Sequence, residues 1–403
     1  MVGGAPERDD GSVSRALRVG MIGYAFMGAA HAQAWRTAHR FFDLPLTPEL
    51  TALAGRSEPD VRAAADRLGF ASVETDWRKL VARDDIDLVD ICTPGDTHAE
   101  IAVAALAAGK HVLCEKPLAN SVAEAERMAD AAREAVAGGV YAMCGYTYRR
   151  TPALALARRL VADGRIGTVR HVRAHYLQDW LSDSGTALNW RLDAAKAGSG
   201  ALGDIGSHLV DTTQWLTGQP ITGVSALLET FVKTRPMSGD RTGLGGVGGD
   251  DVPHGPVTVD DAALFTARFA GGAVGSFEAS RFALGRKNAL RIELNGSAGS
   301  LAFDFEDSNA LHFYDGTDPV GLQGFRRIHV TEPEHPYIAA WWPPGHGLGY
   351  EHGFTHQVVD LVDAIARGEQ PTPSFEDGLA VQRVLDAVGR SAAAGSAWCA
   401  TAG

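Results

Sequence analysis

From residue 17 to residue 144 the chain repeats one pattern, a short apolar run followed by a longer stretch with helical periodicity. The apolar runs fall at 17–23, 50–55, 88–93, 111–114 and 140–144, with a shorter one around 71–74. Between them, 29–38, 61–68, 99–108 and 122–135 carry apolar residues at the spacing of a helix with one buried face. Strands joined by helix-length crossovers run parallel, because a tight hairpin can only join antiparallel neighbours. The alternation therefore predicts an α/β fold whose parallel, doubly wound sheet is covered by helices on both faces.

The first strand–helix junction reads Gly23-Tyr24-Ala25-Phe26-Met27-Gly28. This is the dinucleotide-binding fingerprint with alanine at its middle position. Gly23 permits the tight turn, and Gly28 lets helix and strand pack closely. The small methyl of Ala25 still lets the backbone approach a pyrophosphate resting on the helix N-terminus. Gly23, Ala25, Phe26, Met27 and Gly28 are accordingly candidate cofactor contacts. An NAD-specific domain commonly ends its second strand in an acid that bonds both ribose hydroxyls. Here that strand ends Gly55-Arg56-Ser57, without an acid. Arg56 and Ser57 suit a 2′-phosphate, which leans the expectation slightly to NADP. If Arg56 merely stacks on adenine, NAD(P) in either form is accepted.

The run His111-Val112-Leu113-Cys114 ends abruptly in Glu115-Lys116-Pro117. At the carboxyl end of a parallel strand, Lys116 enters the crevice where open α/β sheets bind ligands. Pro117 fixes its own φ, keeps Lys116 out of helical geometry and permits a cis bond. An ammonium held there can donate to a substrate oxygen and stabilise negative charge developing on it. The alternative is a solvated lysine at a strand end.

Beyond Tyr146 the pattern changes. Runs at 169–176, 224–231, 262–269, 273–279, 290–294 and 301–305 follow one another through turns such as Gly271-Gly272. They predict an α+β domain with a large, mainly antiparallel open sheet, flanked by helices at 152–163 and 201–216. The Gly-rich stretch 238–256 reads as a mobile surface loop. Within the second helix, Asp204 and His208 are four apart and share a face. His208 has the chemistry to take a proton from an alcohol near neutral pH, and Asp204 to orient the substrate or the imidazole. A capping or surface pair is the plainer reading. No third ligand has suitable spacing, so no metal is expected.

At 403 residues the chain exceeds what one core usually serves. The expected division is a disordered lead at 1–15, a dinucleotide-binding Rossmann domain at 16–145, and a substrate-binding and oligomerisation domain at 146–403. The lead has no apolar core of a signal peptide, and no apolar run is long enough to span a bilayer. Cys92, Cys114, Cys144 and Cys399 are scattered, as reduced thiols in a cytoplasmic protein would be. A net charge of −12 argues against a nucleic-acid footprint.

The ordered set Gly23-x-Ala25-x-x-Gly28, Thr93-Pro94-x-x-x-His98, Glu115-Lys116-Pro117, Tyr148-Arg149-Arg150 and Gly203-Asp204-x-x-x-His208 resembles the Gfo/Idh/MocA oxidoreductases. The resemblance extends over residues 17–398. Within the family, Leu177-Gln178-Asp179-Trp180, Trp190-Arg191, the 198–205 segment, Phe325-Arg326-Arg327 and His335-Pro336-Tyr337 look most like the levoglucosan dehydrogenase-like sugar dehydrogenases. The resemblance implies NAD(P)-dependent oxidation of a pyranose ring hydroxyl at C3. It also implies a small-molecule sugar or polyol partner and a homodimer or homotetramer built on the open sheet. Neither a membrane nor a nucleic acid is an expected partner.

The resemblance further implies that Lys116 holds the reacting hydroxyl, that His208 is the general base, and that Asp204 positions the sugar or supports the base. Thr93, Pro94 and His98 would line the nicotinamide side, with Glu115 near the nicotinamide ribose. Thr93-Pro94 is also an ordinary strand-ending turn, and His98 an ordinary helix cap. Tyr148, Arg149, Asp179, Trp180 and Arg191 would contact substrate, and one or two of Trp180, Trp190, Trp341 and Trp342 would face sugar C–H surfaces. Inositol dehydrogenase, an NAD-dependent glycosidase and a non-catalytic sugar or nucleotide sensor stay open as alternatives. Retention of Lys116, Asp204 and His208 together favours turnover over sensing.

Overall fold

The computed structural model describes residues 15–237, 239–242, 245–248 and 252–401. Its first sheet contains β1 (Arg15–Ile22), β2 (Leu46–Ala54), β3 (Ser72–Glu74), β4 (Leu88–Ile91), β5 (His111–Cys114) and β6 (Ala142–Cys144), in the order β3-β2-β1-β4-β5-β6. Every pairing is parallel, as the alternation predicts. The intervening helices are α1 (Phe26–Phe41), α2 (Glu58–Leu68), α3 (Trp77–Val81), α4 (His98–Ala107) and α5 (Val122–Val136). Strand order reverses between β1 and β4, so the ligand crevice opens beyond their carboxyl ends. Gly23 follows β1 there with φ 97°, and a Cβ on it would lie 2.7 Å from the main-chain oxygen of Cys92. Only glycine fits that turn.

After α6 (Pro152–Ala162) comes β7 (Val169–Leu177), then α7 (Ala194–Ala197) and α8 (Ser207–Thr217). The remaining strands are β8 (Ile221–Glu229), β9 (Thr234–Pro236), β10 (Gly239–Thr242), β11 (Gly245–Gly248), β12 (His254–Pro256), β13 (Ala262–Phe269), β14 (Val274–Ser280), β15 (Ala289–Gly296), β16 (Gly299–Asp304), β17 (Ala310–Asp315), β18 (Arg326–His329) and β19 (Cys399–Ala400). Eight of them join β7 in one nine-stranded sheet, β18-β17-β16-β15-β7-β14-β13-β8-β19. Only the β7–β14 pair in it is parallel. From Ala263 to Phe269 of β13 buried and exposed residues alternate, because one face lies on the core and the other is open.

Two expectations need correction. Part of the Gly-rich stretch read as a loop forms strands instead, β10 pairing with β11 and β12 with β9. Glycine weakens a strand, but main-chain ladder bonds need no side chain. The rest of that stretch, residues 238, 243–244 and 249–251, and the lead up to residue 14 lie outside the described residues. Arg15, assigned to the lead, already opens β1.

The sequence expectations also stop short of two long helices, α9 (Tyr350–Arg367) and α10 (Phe375–Ala393). Helix α9 lays Phe354, Val358, Leu361 and Val362 against Leu17, Val19, Trp35 and Leu113 of the first sheet and α1. Phe375, Leu379, Val384 and Val388 of α10 join the large core shared by both sheets. Ser374 caps α10 reciprocally with Asp377.

Candidate active site

Lys116 stands just past β5, and its bond to Pro117 is cis. Its Nζ donates to the main-chain oxygen of Asp204 at 2.7 Å and to Asp204 Oδ1 at 3.3 Å. The lysine of the first domain is therefore bonded to the second.

Asp204 and His208 do not lie on an uninterrupted α-helix, as their spacing suggested. Residues Leu202–Gly206 form a π-helical turn, and α8 starts after it. Such turns carry one residue more than an α-helix and recur at functional sites. The entry to the turn is held by a distant residue. Buried Asp260 accepts from Gly200 N at 2.7 Å and Leu202 N at 2.8 Å, and a Cβ on Gly200 would come within 1.7 Å of the Asp260 main-chain oxygen.

The electrostatics of the two residues differ. Burial would push the Asp204 carboxyl up, but Lys116, Arg281 and Arg191 outweigh it and bring it to about 2. Arg281, fully buried, has Nη1 3.7 Å from Asp204 Oδ2, while 30% of the Asp204 side chain is open. His208 is only 8% exposed. Burial first, then the charge of Lys116, hold its pKa well below the ordinary value, against a smaller opposing pull from Asp204. The imidazole is thus neutral near pH 7, and its Nδ1 is buried without a hydrogen-bond partner. Its ring packs 4.5 Å from that of Tyr148, whose hydroxyl shares a 2.6 Å hydrogen bond with Tyr176; Tyr176 donates to Asn288 at 2.6 Å.

The cofactor-side residues surround the crevice. Ala25 caps α1 without a side-chain hydrogen bond, and the first turn of α1 carries no acid. The initial N–H groups of that helix therefore remain available to a phosphate. A Cβ on Gly28 would lie 2.3 Å from the Gly23 oxygen, so the close helix–strand approach depends on glycine. Phe26 is half exposed and stacks with Tyr350. The glycine turn, the bare helix start and the strand-end crevice fit a dinucleotide. His98, buried, ties two loops together, with Nε2 2.9 Å from Thr93 O and Nδ1 3.1 Å from Pro117 O. Among the described residues exposed Arg56 has no hydrogen bond or ion pair, and Ser57 caps α2 without using its hydroxyl.

Other expected substrate contacts separate into two groups. Arg191 lies close enough to Asp204 for its charge to be felt there, and stacks on Trp190 at 4.4 Å. Trp180 meets Arg281 at 5.6 Å and donates to Gln178. Arg149, in contrast, is committed to Asp211 through two bonds of 2.6 and 3.0 Å and to Asp377 at 3.3 Å. Asp179 accepts from Lys287 Nζ and Gly285 N. Trp341 packs against Phe41 and Phe42 and donates to His356. Arg281, Asp260, Tyr176 and Asn288 escaped the sequence reading. A charge shortly past the apolar run 273–279 was the one available signal, and it pointed to Arg281.

Residues 17–141 match the family model described as oxidoreductase family, NAD-binding Rossmann fold, and residues 154–302 match the GFO/IDH/MocA C-terminal domain. The levoglucosan dehydrogenase of Pseudarthrobacter phenanthrenivorans is 42% identical over 381 residues, spanning 94% of this chain and 96% of that protein. A solved oxidoreductase domain protein from Kribbella flavida is 66% identical, with a TM-score of 0.92 over 96% of this chain and 100% of its own. A levoglucosan dehydrogenase solved with NADH and levoglucosan is 39% identical, with a TM-score of 0.90 over 96% of this chain and 100% of its own.

Proposed function

The chain belongs to the GFO/IDH/MocA oxidoreductase family, and from that premise we propose that it oxidises a ring hydroxyl, at C3, of a pyranose sugar, anhydrosugar or glycoside to the ketone. A neutral imidazole that feels the charges of both Lys116 and Asp204, beside a lysine ammonium bonded to that same aspartate, carries this reading, because alcohol oxidation needs a base and an oxyanion stabiliser at a single carbon. Levoglucosan oxidation by the 42% identical relative supports the substrate class.

Bound nicotinamide supplies the hydride acceptor. Lys116 donates a hydrogen bond to the reacting oxygen and lowers the cost of its alkoxide character. His208 accepts the hydroxyl proton as the C–H bond breaks. Asp204 stays ionised, steadies the Lys116 ammonium and accepts from a neighbouring sugar hydroxyl, while the charges of Arg281 and Arg191 help keep it ionised. Tyr148, whose ring packs tilted against His208, limits how the imidazole can turn. Trp180 and Arg191 bound the sugar site, and Thr93, Pro94, His98 and Glu115 the nicotinamide end.

NAD(P) is the cofactor, and Arg56 with Ser57 sets the choice: NADP is held at least as well as NAD. The described residues contain no helix long and apolar enough to cross a membrane, and four free thiols suit the reducing cytoplasm. Exposed Leu227 and Leu264, directly paired across β8 and β13, form the face for a second copy of the chain.

The test is reduced-nicotinamide absorbance with NAD and NADP against a panel of anhydrosugars, glycosides and inositols. Reduction by an anhydrosugar or glycoside, with a 3-keto product, supports the reading. Reduction by inositols alone overturns the pyranose assignment.

A further inference from the structure

Strand β4 is buried along its whole length, yet it carries the fully buried carboxylate Asp90. Such a charge persists only with close partners. Asp90 accepts from Trp35 Nε1 at 2.7 Å, and both its oxygens lie 3.0 Å from His31 Nδ1. The other ring nitrogen of His31 lies 3.0 Å from Glu115 Oε1. Glu115 Oε2 in turn accepts the main-chain N–H of Lys116 at 3.2 Å. Beyond Lys116 the contacts run through Nζ to Asp204. Helix α1 is thereby joined, through side chains, to the lysine of the active site.

The number of protons in this chain is constrained. Each contact between a ring nitrogen and a carboxylate oxygen needs a hydrogen, and a neutral imidazole has only one. The buried set therefore holds one extra proton. Burial alone would strip it from His31, but Asp90 keeps the imidazole pKa well above its ordinary value. The Cys92 thiol completes the surroundings, donating to Asp90 at 3.5 Å. His31, Asp90 and Cys92 bring ligand atoms within 4.8 Å of one another, but hydrogen bonds already engage both ring nitrogens and both Asp90 oxygens, which leaves no open donor set for a metal. Glu115 is also walled in: a Cβ on Gly145 would lie 2.9 Å from its Oε1.

We propose that His31 is a positioning residue, whose bridge between Asp90 and Glu115 makes Glu115 hold the Lys116 backbone where the ammonium meets Asp204 and the reacting hydroxyl. The inference rests on the dehydrogenase reading above. Without the bridge, Glu115 is a buried carboxylate facing another, and it turns away from Lys116 N–H. A glutamine at position 31 has one donor end and one acceptor end, so it serves one carboxylate and repels the other. Asp90→Asn removes that repulsion and supplies the missing N–H.

The experiment compares wild type, His31→Gln and His31→Gln/Asp90→Asn by steady-state kinetics, cofactor titration and crystallography. Misplacing a reacting group by an ångström costs on the order of 10²-fold in rate. The expected result is a kcat loss of that size in His31→Gln, with sugar KM and cofactor affinity nearly unchanged. The double variant should recover most of the loss, and the crystal structure of the single variant should show Lys116 displaced from Asp204. Wild-type kcat in the single variant overturns the proposal, as does a double variant no better than the single. If wild type reduces neither cofactor with any sugar, the dehydrogenase reading fails instead. The crystal structure then decides alone, and a Lys116–Asp204 contact intact in His31→Gln rejects the positioning role.

Discussion

The Lys116 ammonium bonds the main-chain oxygen of Asp204 at 2.7 Å and its carboxylate at 3.3 Å, so the lysine waits in the site already oriented and already paired. A substrate hydroxyl entering there meets a donor that needs no reorganisation, the condition under which electrostatic stabilisation of a developing alkoxide is strongest.

Lys116→Ala should therefore cut turnover by about 10²–10³-fold, the usual cost of removing one donor to a developing oxyanion. Cofactor affinity, measured by fluorescence titration, should hardly change. Near-wild-type turnover in this variant would make Lys116 a bystander.

The pH dependence follows from the burial of His208. Its folded pKa is depressed, chiefly by burial and then by Lys116, so the base is neutral throughout the neutral range. The acidic limb of the oxidation rate should lie well below 6.5, the ordinary histidine value. Unfolded chains bind a proton at this residue near that value while the folded site does not, so its contribution makes stability fall as pH drops below it. His208→Asn should abolish most activity and flatten the limb. The profile should be recorded with a substrate deuterated at the reacting carbon, so that hydride transfer is visible. A limb centred near 6.5 in wild type, or one unchanged in the variant, would transfer the base role elsewhere.

Among the described residues Arg56, just past β2, is exposed and without a hydrogen bond or ion pair, which underlies the proposed NADP binding. Arg56→Ala should weaken NADP binding selectively and leave NAD binding close to wild type. Titration calorimetry checks both; a strong NAD preference in wild type that ignores the substitution would remove Arg56 from cofactor choice.

Asp260 accepts the two N–H groups that open the π-turn carrying Asp204. Asp260→Ala strands both donors in a buried site, at roughly 1–3 kcal/mol of stability each. Denaturant unfolding should register that loss, and kcat should fall because Asp204 loses its fixed approach to Lys116. Unchanged stability would show that the π-turn holds without this cap.

Much was legible locally. The apolar alternation over 17–144 determines a parallel sheet because its crossovers are of helix length. Gly23 and Gly28 mark the cofactor turn because no side chain fits between that turn and its neighbouring strand. Lys116 stands out because it ends a recognisable strand, and His208 because it lies four residues from Asp204 on an expected helix. The tertiary structure alone decided which of the marked charges meet. Arg149 and Asp179 read as pocket residues but are tied to Asp211 and Lys287, whereas unmarked Arg281 reaches Asp204. The entry to the π-turn is capped by Asp260, more than fifty residues beyond it, and helical periodicity cannot register a cap that distant. The direction of the His208 shift was likewise undetermined in one dimension, because Lys116 and Asp204 pull oppositely and burial, a property of the packed fold, tips the balance.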